Sequence, residues 1–281
     1  MHAHGLHAWY LANGRHELPW RRTREPWAVL VSEVMLQQTS AARVGSRWAA
    51  FLQRWPTPGA LAAARAADLL RQWQGLGYPR RALALQRCAT HITEYGWPES
   101  EAELRALPGI GPYTARALLC LCAGAEVAPA DVNIARVAAR AVLGAERATA
   151  REIDGAVGAL REPGVTMRDH VLALFDVGAT LCQSRRVACG ECPIAPTCRS
   201  RHRLVRGVPS RPRKQAAYSG SRRQLRGALL RVLLEMDADA ASLRQRLGVV
   251  GEYWSDKEIA AAVGGLRDEG FPGADRYDAA S

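Results

Sequence analysis

Lysine is nearly missing from this chain. Only Lys214 and Lys257 occur among 281 residues, so residues 1–213 offer no lysine amine and cannot form a Schiff base through one. Acidic residues are missing over a shorter span. None falls between Glu191 and Glu235, where eleven Arg or Lys residues do, and this clustering, more than the net charge of +11, points to a polyanionic partner. Long apolar runs are lacking too: nothing approaches the ~20 consecutive apolar residues of a membrane-spanning helix. Met1 to His7 shows neither the basic segment nor the apolar core of a secretion signal, so a cytoplasmic location is expected. There, seven cysteines remain thiols rather than disulfides.

What is present reads as helix. A hydrophobic content of 48% with 23% charge suits a globular chain with one large core or two modest ones. A short helix starts over residues 7–11, Leu18-Pro-Trp-Arg21 reads as an extended turn fixed by Pro19, and residues 27–38 form a strongly apolar helix. Amphipathic helices follow over 44–55, 60–73 and 80–94, separated by Pro or Gly, with no strand alternation among them. The expected fold class is all-α.

Within the apolar helix, Glu33 has Val29, Leu30, Leu36 and Gln37 as its neighbours three and four positions away. A carboxylate buried there without a charge partner has a raised pKa and suits a general acid; at a helix edge it simply faces solvent. Leu107-Pro-Gly-Ile-Gly-Pro-Tyr-Thr-Ala-Arg116 reads as the end of one helix, a hairpin in which Gly109 and Gly111 permit positive φ, and a second helix opened by Pro112. Its free N–H groups suit an anion, most simply a nucleic-acid phosphate, although an ordinary helix–helix turn has the same pattern. Asp131 follows fifteen residues after Arg116 and is a competent N-cap for a helix reaching Ala141. Cys182-x6-Cys189-x2-Cys192-x5-Cys198 places four thiolates within seventeen residues, enough to close around a [4Fe–4S] cluster or a zinc ion. Cys88, Cys120 and Cys122 lack such spacing and read as buried apolar fillers.

Together the hairpin, Asp131, Glu33 in Ser-Glu-Val-Met-Leu-Gln-Gln-Thr, Tyr78 in Gly-Leu-Gly-Tyr and the four late cysteines resemble the endonuclease III and MutY superfamily of helix-hairpin-helix DNA glycosylases, over roughly residues 9–203. The resemblance implies a six-helix barrel (28–119), a cluster domain (1–27 with 120–205) and a [4Fe–4S] cluster on Cys182, Cys189, Cys192 and Cys198. It implies base excision repair on double-stranded DNA holding a mismatch or lesion, by a monomer associated with the nucleoid, with an abasic-site endonuclease acting downstream. Glu33 then protonates or hydrogen-bonds the departing base and Asp131 stabilises the sugar cation. Gln38, Thr39, Leu76 and Tyr78 meet the opposite strand, Tyr78 as a wedge in the base stack. Gly109, Gly111, Thr114, Arg185 and Arg186 face phosphates, and Trp20 and Arg21 join the base pocket. Bifunctional relatives carry lysine where Tyr113 stands, so Tyr113 implies a monofunctional enzyme that uses water.

Two positions depart from MutY. Leu172 stands where MutY proteins present Gln or Glu to adenine, and Ala41 where they usually have valine. Leucine offers adenine no partner but suits the thymine methyl group. With Tyr113 and Asp131 this pair resembles the Mig-type thymine–guanine mismatch glycosylases, so thymine or uracil opposite guanine is favoured, with adenine opposite guanine or 8-oxoguanine as the alternative. A catalytically silent iron–sulfur DNA-binding protein is the reading from another class. Residues 206–221 form a basic linker, and residues 222–281 a small unit, winged-helix-like or a three-helix cap, with Phe271 and Tyr277 in a closing hairpin.

Overall fold

The structure, a computed structural model, describes residues 5–145, 148–203, 217–235 and 240–274. Among these residues every regular element is helical, and one isolated antiparallel bridge joins Cys182 to Val187. The helices are α1 (Leu6–Asn13), α2 (Pro26–Leu36), α3 (Ala41–Arg54), α4 (Pro58–Ala62), α5 (Ala66–Trp73), α6 (Arg80–Tyr95), α7 (Glu101–Ala106) and α8 (Pro112–Leu121). There follow α9 (Val132–Ala138), α10 (Ala150–Ala159), α11 (Met167–Asp176), α12 (Arg222–Glu235), α13 (Ala240–Leu247), α14 (Val249–Glu252) and α15 (Asp256–Asp268).

Two compact units result. The first joins Met1–Ala49 to Trp97–Arg211. Its central helix is α2, which begins because Pro26 presets the first turn and the Glu25 carboxylate accepts the Ala28 N–H at 2.8 Å. Trp27, Leu30, Val31 and Met35 are all buried, each contributing about 1.5–3 kcal/mol of transfer free energy. Helix α2 packs on α8, α8 on α7 and α11, and α9 on α10 and α11. The N-terminal segment is fixed to α11 by a buried carboxylate. Asp176 accepts the Arg15 backbone N–H at 2.9 Å, Arg15 Nε at 2.5 Å, and both Arg21 terminal nitrogens at 2.5 and 2.8 Å. Burial works against its ionised form, but the two guanidinium groups hold its carboxyl below the usual carboxylate range.

The second unit joins Ala50–Gly96 to Pro212–Ser281. Phe51 packs edge-on against Trp55 and Trp73, α4 and α5 pack on α6, and α12 packs on α5, α13 and α15. Arg71 donates to the Leu234 carbonyl, while Glu269 pairs with both Arg80 and Arg226. Through these contacts residues 222–274 join 50–96 instead of standing apart, and 28–49 and 97–119 group with the expected cluster domain. This division runs across the expected bounds. The described part of 222–281 holds four helices, including the short α14, and no strand. Most of the basic linker, and Tyr277 of the closing hairpin, lie outside the described residues; Phe271 is buried.

Local differences have local causes. Residues 60–73, expected as one helix, break after Ala62 because the Gln86 side-chain amide takes the Leu61 and Ala64 carbonyls. Pro19–Arg21 is a 3-10 turn, closed by Arg21 N–H on the Leu18 carbonyl at 3.0 Å. The apolar helix stops at Leu36, because Gln37 leaves the helical region with ψ 111° and Gln38 follows with a left-handed φ of 57°.

Candidate active site

Helices α2, α8, α9 and α11 surround a cleft of about 620 Å³ in the first unit. Glu33, Tyr113, Asp131, Leu172, Ala41, Trp20, Arg21 and Gln38 all line it, so the catalytic and base-pocket candidates of the sequence meet here, with Gln38 beside them. Phe175 closes the wall beside Tyr113, their rings edge-to-face with centroids 6.4 Å apart.

Glu33 is 8% exposed and sits among the apolar residues of α2. Burial, aided by the negative charge of Asp131, pushes its carboxyl up to about 7, although a hydrogen bond with Tyr113 and the nearby Arg21 pull the other way. The Tyr113 phenol is raised well above its ordinary value by burial and by the Glu33 and Asp131 charges. It therefore stays neutral and available as a donor. A carboxyl group near pKa 7 facing a cleft is equipped to give a proton at neutral pH.

Asp131 caps α9. One of its oxygens accepts the Asn133 and Ile134 N–H groups, both at 2.8 Å, and the other accepts the Asn133 side-chain amide at 2.7 Å. Burial raises its pKa while these hydrogen bonds oppose the rise. Capping and lining the cleft thus occur together. Asn133 is itself held, because Arg136 donates to its side-chain oxygen at 2.8 Å, to the Gly178 carbonyl at 2.6 Å and to the Cys182 carbonyl at 2.8 Å. A Cβ at Gly178 would lie 2.8 Å from the Asn133 Cβ, so only glycine lets α9 and the turn after α11 approach this closely. Asn133, Arg136 and Gly178 escaped the sequence reading. Nothing local distinguishes a polar pair three residues apart on a helix from an ordinary solvated face.

The remaining assignments divide. Arg21 lines the cleft, but its terminal nitrogens are committed to Asp176. Of the hairpin glycines only Gly109 has positive φ, at 79°; Gly111 is extended, caps α8 and has open space where a Cβ would stand. Thr114 and Thr39 are buried, at 3% and 8% exposure. Leu76 is 2% exposed, in the core of the second unit, whereas Tyr78 in the same unit is 39% exposed. Arg185 and Arg186 are exposed on the loop between Cys182 and Cys189. Arg140 braces that loop through the Gln183 and Ser184 carbonyls.

Cys182, Cys189, Cys192 and Cys198 line one pocket. Arg140 donates to the Cys182 sulfur at 3.4 Å and the His202 N–H to the Cys189 sulfur at 3.4 Å. Burial, with the mutual repulsion of the other three, pushes the Cys192 thiol up to about 11. Four thiolates so gathered need positive charge among them. Among the described residues no group of three His, Cys, Asp or Glu side chains is placed to hold a metal ion.

Residues 31–161 match the family model described as HhH-GPD superfamily base excision DNA repair protein. The chain is 45% identical over 253 residues to the adenine DNA glycosylase of Mycolicibacterium smegmatis, covering 87% of this chain and 84% of that one. It is 34% identical over 206 residues to the thymine-DNA glycosylase of Aeropyrum pernix, covering 68% and 89%. The solved structure of a thermostable thymine-DNA glycosylase superposes with a TM-score of 0.63 at 26% identity, over 70% of this chain and 93% of that one.

Proposed function

The chain belongs to the HhH-GPD superfamily of base excision DNA repair proteins and is a DNA glycosylase, and from this premise we propose that it releases adenine mispaired with guanine or 8-oxoguanine. The Glu33 carboxyl carries this reading. Adenine leaves its sugar poorly unless a ring nitrogen is protonated, and a buried acid near pKa 7 on the wall of the cleft supplies that proton at neutral pH. Identity of 45% to an adenine enzyme, against 34% to a thymine enzyme, points the same way.

In this mechanism the flipped base enters the cleft beside Trp20, Ala41 and Leu172, and Glu33, held by Tyr113, protonates it. Asp131, fixed by its three hydrogen bonds, faces the positive charge that develops on the sugar as the bond breaks. Water completes hydrolysis, since Tyr113 cannot form an imine. Gly109 and the open amides of α8 hold a phosphate, as do Arg185 and Arg186, while Gln38 and Tyr78 contact the opposite strand and the base stack.

Thymine or uracil opposite guanine is the second reading. Leu172 and Ala41 both line the cleft and neither offers adenine a hydrogen bond. Duplexes carrying A:G, A:8-oxoG, T:G or U:G, incubated with enzyme and then treated with alkali, decide between the two. Breakage at adenine, seen only after alkali and with no borohydride-trapped complex, is expected. Release of thymine with adenine untouched would put the second reading in its place.

A [4Fe–4S] cluster is assigned to Cys182, Cys189, Cys192 and Cys198. When bound it supplies the positive charge that lets four thiolates share one pocket and so orders the loop bearing Arg185 and Arg186. The purified protein is expected to be brown with about four irons per chain, and Cys192→Ser to lose both the colour and most DNA affinity. Stoichiometric zinc without iron would overturn the assignment.

A further inference from the structure

The segment that displays Tyr78 is bent in an unusual way. Gly75, Gly77 and Tyr78 have φ values of 84°, 73° and 49°, so three of four consecutive residues are left-handed. Glycine adopts this freely, but a tyrosine does so only where its surroundings impose it. Those surroundings are Trp73 and Arg81. The Trp73 indole N–H donates to the Gly77 carbonyl at 3.1 Å. One terminal nitrogen of Arg81 donates to both the Leu76 and the Gly77 carbonyls at 2.9 Å, and the Arg81 backbone N–H returns to the Tyr78 carbonyl at 3.0 Å. The same guanidinium lies 5.5 Å from the ring centroids of both Trp73 and Tyr78. Trp73 is buried and fixed, Tyr78 is 39% exposed, and Arg81 is what the two rings share.

We infer that Arg81 is a positioning residue that sets the Tyr78 ring at a fixed attitude for insertion between base pairs, using the buried Trp73 as its anchor. This rests on the reading of Tyr78 as the wedge. Two properties of the guanidinium are needed at once: donors that grip the carbonyls behind the ring, and a face that lies against it. Lysine keeps the charge and can still donate to a carbonyl, but it has no planar face to lie against the two rings, so it leaves the Tyr78 ring loose. A ring already placed inserts without a further loss of rotamer freedom, which is how a residue that never meets the reacting bond affects the rate.

The test uses the full chain and a mismatched duplex with 2-aminopurine beside the target base, whose fluorescence rises when the neighbouring stack opens. Tyr78→Ala, Arg81→Lys, Arg81→Ala and the double variant Tyr78→Ala/Arg81→Ala are compared in fluorescence and in single-turnover base release. Arg81→Lys and Arg81→Ala are each expected to lose most of the fluorescence rise and roughly ten- to a hundredfold in rate. The double variant should be no slower than Tyr78→Ala alone, because Arg81 acts through that ring. Unchanged melting of Arg81→Lys separates the effect from folding, so this variant decides the matter even should Arg81→Ala unfold. Wild-type behaviour of Tyr78→Ala would remove the wedge reading and the inference with it. An impaired Tyr78→Ala beside a normal Arg81→Lys, or losses that simply add in the double variant, would leave the wedge standing and overturn the role given to Arg81.

Discussion

Asp131→Asn is expected to reduce base release by on the order of a thousandfold while leaving binding to a mismatched duplex nearly unchanged. The substitution keeps the shape and keeps the cap, since asparagine serves the N-terminus of α9 about as well as aspartate. It removes the negative charge that faces the developing sugar cation. Asparagine has one side-chain oxygen where aspartate has two, so keeping that oxygen on the Asn133 and Ile134 N–H groups gives up the hydrogen bond from the Asn133 side-chain amide. Single-turnover rates and a gel-shift titration on the same duplex separate the two effects. A rate within a few-fold of wild type would mean that Asp131 only caps the helix.

Glu33→Gln is expected to slow adenine release by about 10²–10⁴-fold and to remove the pH dependence of what remains. In the wild type the acid form dominates below pH 7, so adenine release should fall as pH rises through about 7. The same shift predicts that stability, too, falls as pH rises. Because the folded-state pKa is raised from 4.5 to about 7, the folded protein binds this proton more tightly than the unfolded chain. The folded state therefore loses stability as pH rises between those values and levels off above them. Glutamine has no charge to desolvate. Above pH 7 the variant should be the more stable protein, by up to about 3–4 kcal/mol. Thermal melts at pH 5 and pH 8 check this, and an equal difference from wild type at both would show that Glu33 is ionised in the fold. Activity at this position is thus bought with stability.

The sequence made legible whatever depends on chain-local chemistry. Pro26 with an apolar run marks α2, and Glu33 stands out because a carboxylate has no reason to lie among Val29, Leu30 and Leu36 unless burial is its use. Asp131 was visible as a cap, and the cysteines by spacing alone. What stayed hidden depends on partners far along the chain. Gln86 breaks the expected 60–73 helix by competing for its carbonyls. Arg21 looked free for a base, yet Asp176, 155 residues later, holds its terminal nitrogens. Thr114 follows the hairpin on the side that packs inward, and the hairpin pattern alone does not show that. Leu172 lines the cleft, but which base that wall prefers depends on the proton on Glu33 as well, and a pKa is not a property of a motif.

The distance along the chain between Asp176 and its two arginines bears on the order in which this enzyme is made. Arg15 and Arg21 leave the ribosome early, and the carboxylate that fixes them follows 161 and 155 residues behind. At ordinary synthesis rates that is a wait of roughly 10–30 s. Throughout it the N-terminal segment, including the Trp20 wall of the cleft, has no anchor on α11, while residues 50–96 have already emerged. Nascent chains stalled before position 176 should accordingly be cut by protease within residues 5–25, and chains in which residue 176 and the rest of α11 have cleared the ribosome should resist.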